Sequence, residues 1–176
     1  MLGMRYAIIS ITLAIGVFLS CKHHETQTVK LAKFDPVHIK VKNPVKKVKA
    51  QTFYLPVYSS IPFAEGKSFY GLSSFMAVHN TDFNNPIYIT SVYYLDTEGN
   101  LIKDFLLSRV DTVMPMQTVN YFVPESDRSG VGANFILEWM ADSAVNEPLV
   151  ETIMVSLTSG QGVSFSSKGK ILNELY

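Results

Sequence analysis

Ser129-Gly130-Val131-Gly132-Ala133 opens onto Asn134-Phe135-Ile136-Leu137-Glu138-Trp139-Met140, and Asn146-Glu147-Pro148 then leads into Leu149 to Leu157. Successive side chains of an extended chain point to opposite faces. Phe135, Leu137, Trp139 and Ala141 therefore share one face, and Ile136, Glu138 and Met140 share the other. The stretch predicts a flexible glycine turn, a strand carrying the single Trp, a tight turn and a second strand. Trp139 is expected to fill the core. In the second strand Leu149, Ile153, Val155 and Leu157 share a predicted apolar face, with Glu151 among them. A carboxylate buried there must be paired, hydrogen-bonded or neutral. Arg109 and Arg128 are its candidate partners in a structural ion pair.

Working outward, the same short-period pattern recurs. Gln51 to Tyr58 is β-rich, and Pro56 predicts an edge or a bulge there. Phe69 to His79 reads as one strand. Asn80 to Pro86 is turn chemistry, since Asn and Asp bond their own backbone. Ile87 to Leu95 is rich in β-branched and aromatic residues and predicts a strand. Asp96 to Asn100 predicts a hairpin turn with Gly99 at positive φ. Leu101 to Leu107 is its returning partner, although the spacing also fits a short helix. Thr118 to Val123 alternates Val119, Tyr121 and Val123 against Asn120 and Phe122. Val163 to Phe165 and Ile171-Leu172 predict a last strand around Gly169. Seven or eight short strands without a long helical pattern predict an all-β, immunoglobulin-like antiparallel β-sandwich, with a partly open barrel as the alternative.

Charge divides the 176 residues unevenly. Lys22 to Ala50 carries a net charge of +6, and Gln51 to Tyr176 carries −7. A basic arm thus precedes an acidic domain. An acidic domain lacks the basic face that phosphate contacts require, so no nucleic-acid partner is expected. The arm, with Pro36 and Pro44 and no sustained periodicity, reads as a tether. His23 and His24 lie on it without a third ligand at fixed spacing, so no metal site is expected. Before it, Arg5 and the apolar run Ala7 to Leu19 have the layout of a secretory signal. That run is shorter than the roughly 20 apolar residues of a membrane span. The expected organisation is a signal peptide over 1–20, a basic tether over 21–50 and a β-domain over 51–176.

Two resemblances follow from these residues. Phe18-Leu19-Ser20-Cys21 resembles the lipobox of bacterial lipoproteins. That implies lipidation of Cys21, the chain's single cysteine, and cleavage before it. Lys22 in place of the Asp associated with inner-membrane retention implies the periplasmic face of the outer membrane. Pro86 to Gly99, Gly132-Ala133-Asn134-Phe135-Ile136-Leu137-Glu138-Trp139, Val145 to Glu151 and Gly160 to Phe165 together resemble the bacterial family domain of unknown function 3124. That resemblance implies a cell-envelope protein and carries no activity, cofactor or site residue to transfer.

Catalytic sets are hard to assemble from this chain. The domain holds one histidine, His79, and no Cys. A nucleophilic site needs a base held beside its nucleophile, and no partner for His79 is visible in sequence. Gly130-Val131-Gly132 precedes a strand, whereas a phosphate loop needs a helix N-terminus behind it. Asp96 to Asn100 lacks the later bidentate Glu of a calcium loop. No catalytic residue, metal or cofactor is therefore expected. The reading is a lipid-anchored binding or scaffolding module of the cell envelope, with an envelope protein or glycan as partner. Gly130, Gly132, Asn134, Asn146 and Glu147 are its candidate recognition-loop residues, and Tyr88, Tyr93, Tyr94 and Tyr121 are candidates for exposed contact rings. The alternative is an envelope hydrolase using paired carboxylates between Glu125 and Glu151, with His79 as base.

Overall fold

The computed structural model describes residues 47–175 except 128, 158, 159 and 161. The signal sequence, Cys21, most of the basic tether and Arg128 lie outside the described residues. The strands are β1 (Lys49–Pro56), β2 (Ser60–Phe63), β3 (Ser68–Gly71), β4 (Ser73–His79), β5 (Ile87–Leu95), β6 (Leu101–Asp104), β7 (Asp111–Val113), β8 (Thr118–Val123), β9 (Asn134–Ala141), β10 (Leu149–Ser156), β11 (Val163–Lys168) and β12 (Lys170–Leu175). One sheet has the order β12-β1-β9-β5-β6, with β7 also on β5. A second has the order β11-β10-β4-β8, and β2 and β3 form a separate hairpin. All pairings are antiparallel, and neither large sheet closes on itself. The protein is a β-sandwich, not a barrel.

The core is the apolar inner face of each sheet. Phe53 and Leu55 of β1, Phe135, Leu137 and Trp139 of β9, and Ile87, Ile89, Val92 and Tyr94 of β5 come from the larger sheet. Met76 and Val78 of β4, Tyr121 and Val123 of β8, and Val150 and Met154 of β10 meet them from the smaller. In β5 the register with β9 shifts between Ile89 and Ser91. Thr90 is the extra residue, and it reverses the alternation. Ile87 and Ile89 point inward before it, and Val92 and Tyr94 after it. A bulge of this kind leaves one residue unpaired and re-aims its neighbours.

Several elements differ from their sequence-based expectation. There are twelve strands among the described residues, because two predicted strands are each divided and the short strands β2 and β7 form where none was expected. Phe69 to His79 breaks at Leu72, which is fully buried, and gives β3 to the hairpin and β4 to the smaller sheet. The C-terminal segment crosses at Gly169 from the smaller sheet to the larger. A Cβ on Gly169 would lie 3.0 Å from Phe53 Cδ1 and 3.1 Å from Leu55 Cγ, so a side chain at the crossing would press on both. β9 and β10 are not a hairpin, because the segment between them also crosses between sheets. β1 is interior, flanked by β12 and β9, with its irregularity between Thr52 and Phe53 on the β12 side and Pro56 as its last residue.

The alternation in β10 is the reverse of the expected one. Val150, Thr152, Met154 and Ser156 face inward, and Glu151 lies on the outer face. Thr152 is an inward polar residue whose hydroxyl is satisfied by the Pro56 carbonyl at 3.2 Å. A hydroxyl with a local acceptor is buried cheaply, and that allowed the strand to turn its longer aliphatic side chains outward.

Candidate functional site

The outer face of the larger sheet carries an ordered polar patch. Opposed residues share a face, so the register gives its rows directly. Asn173, Thr52, Glu138 and Ser91 form the central row across β12, β1, β9 and β5. Tyr54, Ile136 and Tyr93 form the row on one side, and Ala50, Met140 and Tyr88 the row on the other. A cleft of about 360 Å³ opens here, lined by residues that include Lys47, Thr52, Thr90, Glu138, Asn173 and Glu174.

Glu138 is the centre of this arrangement. It is half-buried in the middle strand of the sheet. Ser91 Oγ donates to its Oε2 at 3.0 Å, and Thr52 Oγ1 donates to its Oε1 at 3.4 Å. The bulge at Thr90 makes the first contact possible, since it places Ser91 opposite Glu138. Thr90 Oγ1 reaches the Glu138 main-chain carbonyl at 3.4 Å. Burial pushes the Glu138 carboxyl above the ordinary glutamate range, against the hydrogen bonds from Ser91 and Thr52 and the charge of Lys47. Burial also raises the Tyr93 phenol, with a contact from Ser91 opposing and the charges of Asp104 and Glu138 adding to the rise. On the opposite face of the same strands, Gln51 Nε2 donates to Glu174 Oε2 at 3.4 Å, and Trp139 Nε1 donates to Gln51 Oε1 at 3.2 Å.

Sequence reasoning passed over Glu138 in favour of Glu151. The available signal was its isolation. It is the one charge in Phe135-Ile136-Leu137-Glu138-Trp139-Met140, a run apolar enough to be covered on both faces. A charge inside such a run is either costly or used.

Glu151 instead stands on the outer face of the smaller sheet. Its Oε1 is 3.8 Å from His79 Nε2, and both side chains are about one-third exposed. Thr118 Oγ1 and His79 Nδ1 are 2.8 Å apart. Hydroxyl, imidazole and carboxylate thus line up across β8, β4 and β10. The order resembles a nucleophile, base and orienting acid. It lies on a sheet face away from the cleft. Lys168 is the residue opposite Glu151 on β11. Arg109, one expected partner, uses its Nε to donate to the Leu106 carbonyl at 3.2 Å.

The candidate recognition residues separate to opposite ends of β9. At one end Ser59 Oγ accepts from Gly130 N at 2.8 Å, Gly130 O accepts from Ser59 N at 3.2 Å, and Thr97 Oγ1 accepts from Gly132 N at 3.1 Å. Gly130 has a φ of +106°, and a Cβ there would lie 2.4 Å from Thr97 Oγ1. Tyr94, Asp127 and Ser129 share hydrogen bonds beneath it. The glycine turn is therefore tied down, not flexible. Asn134, at the start of β9, is buried.

At the other end Asp82 accepts from the backbone of Asn84, Asn85 and Asn146 at 2.8–2.9 Å. Those bonds hold its carboxyl below the ordinary aspartate range. Glu147 pairs with Lys49 at 3.4 Å. Of the four tyrosines, Tyr88 and Tyr93 are half-buried on the cleft face, while Tyr94 and Tyr121 belong to the core. No cluster of three metal-ligating side chains occurs among the described residues.

These features define a β-sandwich with a polar cleft on the outer face of its larger sheet. The chain belongs to the family described as Protein of unknown function (DUF3124), whose profile matches residues 50–172. No curated protein matches it. Among solved structures, that of Thermotoga maritima 1070 is similar at a TM-score of 0.42 with 7% identity, covering 68% of this chain and 92% of that one.

Proposed function

We propose that this protein is a lipid-anchored binding module of the cell envelope, and that the cleft around Glu138 is its ligand site. The observation that carries the site is a half-buried carboxylate held by Ser91 and Thr52 in an open cleft, with burial driving it towards the neutral form. A perturbed acid in a cleft is a candidate functional position. Tyr54, Tyr88 and Tyr93, which frame the patch, are residues suited to contacting a partner with both a ring and a hydroxyl. The anchor rests on Cys21 and the apolar run before it, and on the basic tether that follows.

Fractionation and pull-down from envelope extracts test both halves. Wild type is expected in the membrane fraction with a retained ligand or partner. Cys21→Ala is expected to become soluble, and Thr52→Val with Glu138→Ala is expected to remain anchored but lose the ligand. An unacylated, soluble wild type would overturn the anchor.

A second reading has one observation in its favour. An acid raised by burial in an open cleft, as Glu138 is, suits the general-acid half of a glycoside hydrolase. Turnover of a glycan or ester that stops on Glu138→Gln, with no retained ligand, would establish the hydrolase instead.

A further inference from the structure

We propose that the Glu138 cleft recognises a primary ammonium group, and that Lys47 of the protein's own tether occupies it as an internal competitor. This rests on the reading of the cleft as a ligand site and names what it takes.

The argument begins with what the cleft supplies. Its walls offer hydroxyls (Thr52, Thr90), an amide (Asn173) and the carboxylate of Glu138. Ser91 and Thr52 each give Glu138 one hydrogen bond, which leaves the carboxylate with further lone-pair capacity. A half-buried acid with only hydroxyl donors gains most from a cation, because opposite charge offsets its burial directly. An anion would be repelled, and a neutral hydroxyl would leave the charge uncompensated. Tyr54, Tyr88 and Tyr93 lie on the neighbouring rows of the same face. Aromatic faces attract ammonium groups and tolerate the alkyl chain that carries them.

A second observation is that a lysine already stands at the cleft. Lys47 lines the cleft, and its charge acts on Glu138. Its position follows from the two residues after it. Val48 N donates to the Ala141 carbonyl at 2.9 Å, and Lys49 pairs with Glu147 at 3.4 Å. The tether therefore enters along the end of β9, two residues before β1 begins, and brings a lysine to the cleft. Lys47 belongs to a run of eight lysines between Lys22 and Ala50, so the chain carries its own supply of the group the cleft takes. An external amine must displace Lys47. Tether and ligand are then linked, because whatever draws the lysines away, an anionic surface for instance, frees the site.

Calorimetric or NMR titration of the full-length protein in detergent tests this, with cadaverine as the probe and pentanol, glutarate and N-acetylglucosamine as controls. Cadaverine is expected to bind saturably and more weakly as salt rises. Glu138→Gln should weaken it by about tenfold or more, the worth of a hydrogen bond to a charged group. Glu138→Asp, which keeps the charge but shortens its reach, should fall between. Lys47→Gln should tighten cadaverine binding by about two- to fivefold, as the loss of a partly exposed competing pair predicts. A thermal melt of each variant separates lost binding from lost fold.

Equal cadaverine affinity in wild type and Glu138→Gln would overturn the ammonium site. So would binding of N-acetylglucosamine alone, lost on Glu138→Gln, although that result would leave the binding-module reading standing. Unchanged or weaker binding by Lys47→Gln would overturn the internal competitor.

Discussion

Glu138 shows how one residue can be kept against the interest of stability. Its carboxyl is raised by burial, with the hydrogen bonds from Ser91 and Thr52 and the Lys47 charge opposing. An acid raised on folding binds its proton more tightly in the native state than in the unfolded chain. Stability therefore falls as pH climbs from the unfolded value, near 4.5, through the raised native one. Glu138→Gln, which cannot ionise, is expected to be near neutral at pH 4 and to raise Tm at pH 7. Parallel melts of the two proteins across that range check the sign, and a variant advantage that does not grow with pH would refute it. Trp139, the next residue, faces the other way and is 1% exposed. Trp139→Ala should cost about 3–5 kcal/mol, the usual range for emptying a core position of that size. Chemical denaturation would read it, and the loss should include the Gln51 amide left without its indole donor.

Elements in this protein are joined by a few tight constraints. Gly169 is where the chain leaves β11 for β12 and changes sheets. Gly169→Ala places a methyl within 3.0–3.1 Å of Phe53 and Leu55. It is expected to lower Tm and to loosen β12, the strand that supplies Asn173 to the cleft. Hydrogen exchange confined to β12 and its partner β1 would show this, and uniform exchange would not. Asp82 orders the loop after β4 through the backbone amides of Asn84 and Asn85 and ties it to the loop before β10 through that of Asn146. An acid lowered on folding stabilises above its unfolded pKa and loses that contribution as pH drops through the native value. Asp82→Ala should therefore lose stability at pH 7, with the deficit shrinking below the ordinary aspartate value of 3.8. Melts at pH 7 and pH 3 make the comparison.

At the scale of the whole molecule, the sandwich was legible because its longer strands carry their own pattern. Ile87 to Leu95, Thr118 to Val123 and Asn134 to Ala141 declare themselves by β-branched and aromatic content, and each is a strand. What the sequence left open is what depends on partners distant in the chain. The face of β10 was misread because Leu149, Ile153 and Val155 outweigh Thr152 in any hydrophobic count. The burial of Thr152 depends on a carbonyl, that of Pro56, 96 positions away. The division of the C-terminal segment turns on Gly169, whose tight fit is visible only once Phe53 and Leu55 are beside it. The cleft was hidden for the same reason. Its parts come from β1, β5, β9 and β12, and the bulge at Thr90 that aims Ser91 at Glu138 has no signature in sequence.

The interior position of β1 has a mechanical consequence. The tether joins the body at the N-terminal end of this strand, which is hydrogen-bonded to β12 on one side and to β9 on the other. Antiparallel ladder bonds run across the strands. A tug along the axis of β1, of the kind an anchored leash would deliver, loads both ladders at once instead of peeling them bond by bond. Under the proposed anchoring, the body would resist being dragged open from its N-terminal end.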